Sequence, residues 1–162
     1  MNEFKEFGTF TYKQELRDRF RSGDLVEQWA NQYPQLFDEK TISHARNQAE
    51  FGFHFVEWLS AILVWHSTGY LSLGGYFYPS RTKQNEVLHK LLPKPECKLI
   101  ENCMEYHSQP PDWLFYAPDY TDWFFCEIKG PGDQLKNTQK KYFSKIAEVT
   151  GKEIYLLTLE DM

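Results

Sequence analysis

Apolar positions recur every three or four residues from Ala45 to His66, where Phe51, Phe55, Trp58, Leu59, Ile62 and Leu63 trace one side of a helix that Ser67-Thr68-Gly69 ends. Tyr70 to Tyr78 then reads as a strand interrupted at Gly74-Gly75. Two runs rich in aromatic and β-branched residues, Trp113 to Ala117 and Asp122 to Ile128, flank Pro118-Asp119-Tyr120-Thr121 and predict an antiparallel hairpin. Gly130-Pro131-Gly132 stops the second strand. Asp133 is then placed to cap a helix from Gln134, whose buried stripe is Leu135, Tyr142, Phe143, Ile146 and Val149 and whose end is Gly151. Glu153 to Leu159 is a last strand.

The order helix, strand, hairpin, helix, strand predicts an α/β fold with an αβββαβ core, a mixed central sheet flanked by helices. Between the first strand and the hairpin, about 79–110, Ser80 to Leu92 reads as a short helix followed by a turn at Pro93-Lys94-Pro95. This is an insertion, either a plain surface element or one that meets a substrate through Arg81, Lys83, Lys90 and Lys94. Residues 1–43 carry Leu16, Phe20, Leu25, Trp29 and Tyr33 at helical spacing, interrupted near Ser22-Gly23. They predict a helical extension packed on a core domain of 44–162.

The hairpin carries the chemistry. A symmetric loop flanked by Ala117 and Asp122 puts Asp112 opposite Glu127, and strand alternation puts Lys129 on the face of Glu127. Like charges opposite one another repel, and burial would protonate one of them. A divalent cation between the two acids removes the conflict. Gln139 falls on the buried stripe of the following helix, where an unbonded amide is costly. Glu57 and Glu50 lie seven apart on the first predicted helix, near one face, and the apolar neighbours of Glu57 predict its partial burial.

Asp112 in Pro111-Asp112, then Glu127-Ile128-Lys129 after a hairpin, resembles the PD-(D/E)xK nuclease superfamily. Gly130-Pro131-Gly132-Asp133, Leu135 and Gln139 resemble its VRR-NUC branch. The match covers the last third of the chain well and about 46–78 more loosely. The resemblance implies a restriction-endonuclease-like fold and hydrolysis of phosphodiesters in DNA, with Mg²⁺ or Mn²⁺ as cofactor. Its implied ligands are Asp112, Glu127, the backbone carbonyl of Ile128 and Glu57, with Glu50 as the alternative helix glutamate. Lys129 and Gln139 complete the implied catalytic set, and Lys136, Lys140 and Lys141 would track the nucleic-acid backbone. Branched or nicked DNA is favoured over intact duplex, in replication, repair or recombination, and a homodimer is one arrangement such relatives use. The alternative is a catalytically silent module that binds nucleic acid or a protein.

Composition narrows this only slightly. The 162 residues are 41% hydrophobic and 17% aromatic, enough for a real core. A net charge of −5 argues against a generic nucleic-acid coat, yet from Lys129 to Lys152 the chain has six lysines against Asp133 and Glu148. The polar first residues lack a signal-peptide core, and the stretch Phe51 to Val64, broken by His54 and Glu57, is too short to span a bilayer. Cys97, Cys103 and Cys126 form no disulfide framework, and with His107 they lack the paired spacing of a structural zinc site. These features predict a cytoplasmic protein.

Overall fold

The computed structural model describes residues 4–74, 81–105 and 111–162. Its elements in chain order are β1 (Phe4–Tyr12), α1 (Gln14–Ser22), α2 (Asp24–Gln32), α3 (Glu39–Phe51), α4 (Phe55–Thr68), β2 (Leu71–Gly74), α5 (Arg81–Leu91), α6 (Lys94–Glu105), β3 (Trp113–Tyr116), β4 (Trp123–Lys129), α7 (Asn137–Thr150) and β5 (Ile154–Asp161). The five strands form one mixed sheet, ordered β1-β5-β4-β3-β2, with helices flanking it. β4 and β5 run parallel, as do β5 and β1, whereas β2, β3 and β4 are antiparallel neighbours. Every residue of β3 and all but the last of β4 are buried, as a sheet covered on both faces requires.

The hairpin has the predicted register. Trp113 pairs with Cys126 and Tyr116 with Trp123, and the loop closes through the Ala117 amide donating to the Asp122 carbonyl at 2.9 Å. Tyr120 takes a left-handed φ of 62° in that loop. The order α4, β2, β3, β4, α7, β5 matches the predicted succession, with α5 and α6 between β2 and β3.

Four expectations need correction. The segment 1–43 is not helical throughout, because it begins with β1, which pairs in parallel with β5 and so belongs to the sheet. Its aromatics stand three apart at Phe4, Phe7 and Phe10, which hides a strand period of two. A register shift between Glu6 and Gly8 leaves Phe7 as the extra residue and restores the alternation. Second, the long helix from Ala45 to His66 is two helices. α3 starts earlier, capped by the Asp38 carboxylate on the Thr41 amide at 2.8 Å, and Gly52 and His54 turn left-handed (φ 72° and 62°) before α4 begins. Third, α7 begins at Asn137 after Lys136 and not at Gln134, so Asp133 does not cap it. Fourth, Lys94 to Glu105 is a helix where only a turn was expected, since Pro95 sits in its first turn, where proline is tolerated. The predicted continuation of β2 through Gly75 to Tyr78, and His107, lie outside the described residues, as do the side chains of Arg81 and Cys103. Among the described residues no helix is long and apolar enough to cross a membrane.

α4 is the helix that matters for the site. Trp58 is buried at its first turns, edge-on to Trp113 of β3 at 5.7 Å between centroids and tilted against Phe37 at the same distance. Its indole N–H donates to the Gln48 side chain of α3 at 2.8 Å. The Trp113 indole N–H in turn donates to the Glu57 carbonyl at 2.9 Å, pinning the start of α4 to the hairpin. Trp58→Ala should therefore cost about 3–5 kcal/mol, by the usual loss for a buried tryptophan. The expected result is a lower urea midpoint with an unchanged m-value.

Candidate active site

β3, β4, α4 and the segment leading into α7 bring the predicted chemistry together. The Asp112 backbone N–H donates to Glu127 Oε1 at 3.1 Å, and the Ile128 N–H donates to Asp112 Oδ2 at 2.9 Å. Antiparallel pairing thus delivers the expected convergence, each acid held by the other strand's backbone.

Alternation along β4 does the rest. Lys129 Nζ lies 3.2 Å from Glu127 Oε2, with the lysine side chain only 15% and the glutamate 4% exposed. Gln139 donates from Nε2 to the same Glu127 Oε2 at 2.7 Å, while its Oε1 accepts from Lys129 Nζ at 3.3 Å and from the Lys136 N–H at 3.0 Å. The amide is satisfied by backbone and by the two charged residues at once. By accepting the Lys136 N–H it also helps close the first turn of α7. Glu127 proves buried within its strand, deeper than the open strand end expected for it.

Glu57 is the helix glutamate drawn into this cluster. Burial, with the charges of Glu127 and Asp133 adding to it, pushes its carboxyl up to about 7, against the pull of its own backbone N–H and of Lys129. Burial, reinforced by Glu127 and then Glu57, holds Asp112 well above the ordinary aspartate range. Glu50 stands exposed near the end of α3, a separate helix. Lys136, Lys140, Lys141 and Lys145 are exposed along the start and body of α7. Lys152, counted with them in sequence, lies at the opposite end of β4, bonded to Asp122 at 3.2 Å and to the Trp123 carbonyl.

One participant escaped the sequence reading. Asp133 folds back so that its Oδ2 accepts the Gly130 N–H at 3.0 Å, and its charge is felt by Glu57. The signal was present in Gly130-Pro131-Gly132-Asp133, a turn in which Gly132 takes φ 78° and an aspartate can bond a preceding amide. A Cβ at Gly130 would lie in contact, at 3.4 Å, with both Asp133 Oδ2 and Val56 of α4. Cys126, buried beneath the acids, has its thiol pushed well up by burial and then by Asp112 and Glu127, so it is an inert packing group.

Four carboxyl groups and one ammonium thus make up the cluster and its rim. Hard oxygen donors in excess of positive charge suit Mg²⁺ or Mn²⁺ in chemistry. The acids do not form a ready-made cage, since among the described residues no three metal-ligating side chains stand close enough to share an ion. Glu127 Oε2 is instead engaged by Lys129 and Gln139. No protein-family model and no curated protein matches the chain.

The raised carboxyl of Glu57 fixes a pH dependence. A folded-state value above the unfolded one adds stability that is complete below 4.5 and is lost as pH rises through about 7. In EDTA, thermal midpoints should therefore fall between pH 4.5 and about 7, and Glu57→Gln should flatten that slope. A slope unchanged by Glu57→Gln would remove the glutamate from the cluster.

Proposed function

We propose that the chain is a divalent-metal-dependent nuclease of the PD-(D/E)xK, VRR-NUC-like type, acting on phosphodiesters of DNA with a restriction-endonuclease-like core. The observation that carries this reading is the single hydrogen-bonded cluster of Asp112, Glu127, Lys129 and Gln139 beside Glu57. An isolated aspartate and a Glu-x-Lys arise often by chance. Their convergence with the glutamine of the next helix does not follow from chance spacing. The succession α4, β2, β3, β4, α7, β5 supports the fold assignment.

Asp112 and Glu127, with the Ile128 carbonyl and Glu57, would hold Mg²⁺ or Mn²⁺, which when bound supplies Lewis-acid activation of the attacking water and neutralises charge at the phosphate. Lys129 stabilises the non-bridging oxygens as negative charge builds on them, from a position nearly free of solvent where such a charge acts strongly. Gln139 is a positioning residue that sets the directions of the Glu127 carboxylate and the Lys129 ammonium. Lys136, Lys140 and Lys141 hold the substrate backbone at the entrance of α7.

A catalytically silent binding module is the second reading, favoured by the engagement of Glu127 Oε2 with Lys129 and Gln139. Titrating Mn²⁺ against branched, flapped, nicked and linear DNA separates the two. The enzyme cuts and stops on addition of EDTA; the module binds without cutting.

Glu127→Gln and Asp112→Asn, which keep shape while altering the ligand set, should abolish cutting with little change in DNA affinity. Lys129→Met should lower kcat by about 10²–10³-fold, the range for loss of one charge-stabilising donor. Gln139→Leu should cost about 10–100-fold, in line with loss of a supporting hydrogen bond to a ligand. Wild-type cutting rates in Glu127→Gln would refute the assignment.

A further inference from the structure

Between α3 and α4 the chain presents two aromatic rings to solvent. Phe51 is 62% and Phe53 58% exposed, and the rings stack on each other with centroids 5.6 Å apart and planes 23° from parallel. Aromatic side chains are normally placed where their area is covered.

The loop that carries them is fixed on both sides. The Gly52 N–H donates to the Ala49 carbonyl at 2.9 Å and the Phe53 N–H to the Gln48 carbonyl at 3.0 Å, a double bond pattern that locks the end of α3. On the far side the His54 carbonyl accepts the Trp58 N–H at 3.0 Å, while His54 itself holds a left-handed φ of 62° that a non-glycine residue adopts at a cost. A positive charge lies against the backbone between the two ring-bearing residues: a Cβ on Gly52 would meet Arg21 Nε at 2.6 Å. Arg21 is exposed.

The loop that carries the rings leads directly into the helix that brings Glu57 to the acidic cluster. Phe53 is four residues before Glu57, at most about 14 Å along the chain. Val56, between them, lies against Gly130 at the end of β4.

We propose that Phe51 and Phe53 form a stacking platform for an unpaired nucleobase of the substrate strand, with Arg21 pairing to an adjoining phosphate. The inference rests on the nuclease reading above and deepens it, selecting nucleic acid that has an unstacked base near the scissile bond. Every base has a π-face, so aromatic stacking binds single strands without sequence preference. Inside an intact duplex that face is already covered. A second copy of the chain is a poorer occupant, because two rings of about 150–250 Å² each, little more than half exposed, fall well short of the roughly 800 Å² per partner in a stable interface.

The test is binding in Ca²⁺ or EDTA to three probes: a single-stranded oligonucleotide, a flapped duplex with 2-aminopurine at the junction, and an intact duplex. The Phe51→Ala/Phe53→Ala variant should bind the first two about tenfold or more weakly and leave intact-duplex binding unchanged. Quenching of 2-aminopurine by the wild type should disappear. Phe51→Tyr/Phe53→Tyr should retain both properties, whereas Phe51→Leu/Phe53→Leu should lose them, because leucine keeps apolarity without a π-face. Equal behaviour of the tyrosine and leucine variants overturns the proposal, as does an equal loss on intact duplex. Self-association that vanishes in the alanine variant with DNA binding intact overturns it in favour of a second copy. If the wild type cuts DNA and the alanine variant binds and cuts identically, this proposal fails and the nuclease reading stands; if the wild type neither binds nor cuts, both fall.

Discussion

The antiparallel register of β3 and β4 is the constraint on which the site depends. Once Trp113 pairs with Cys126, the next positions outward, Asp112 and Glu127, have no choice but to meet. Taking a charged group out of water costs several kcal/mol even after relaxation, and two like charges 4 Å apart repel by about 4 kcal/mol at an effective dielectric of about 20. Against this stand the Asp112 and Ile128 amides, the Gln139 amide and the Lys129 ammonium. At about 1.5–3 kcal/mol for each bond to a charged group, they suffice for one negative charge. A second charge in the same place calls for a proton or a cation, and burial first, with Glu127 and Glu57 adding to it, holds Asp112 well above its ordinary range.

The rest of the molecule serves to keep that register and to bring other groups to it. Burial on both faces protects the β3–β4 ladder from slipping, since a shift of one residue would move every side chain to the opposite face and into packing shaped for another residue. The Trp113 indole bonds to the Glu57 carbonyl, so the same strand that positions Asp112 also fixes the helix that brings Glu57. Gln139 joins the first turn of α7 to the end of β4. A displacement of any one of these elements would be felt by the carboxylate pair through a direct bond.

What was legible in the sequence is what depends on local chemistry and short spacing. The loop at Pro118 to Thr121 set the hairpin, period-two alternation set Lys129 beside Glu127, and helical spacing put Gln139 on an inward face. What was not legible depends on partners far along the chain or on backbone exceptions. β1 hid its period behind the extra residue Phe7, and a parallel edge strand leaves little trace without knowledge of β5. The break at Gly52 and His54 was masked because apolar residues continue at helical spacing straight through it. Asp133 was read as a cap because a turn followed by an amphipathic stretch is the usual cap setting, whereas its acceptor geometry is decided by Gly130 three residues earlier.

The parallel pairing of β1 with β5 has a consequence for how the protein is made. Phe4 lies opposite Ile154, so the edge strand β1 and its neighbour β5 come from nearly the first and nearly the last residues described. Such a non-local contact is entropically slow to form. During synthesis β1 emerges early and must wait, unpaired and carrying Phe4, Phe7, Phe10 and Tyr12, until β5 leaves the ribosome. The nascent chain therefore passes through a long interval in which an aromatic segment with open backbone donors and acceptors is a ready target for a chaperone or for misassociation.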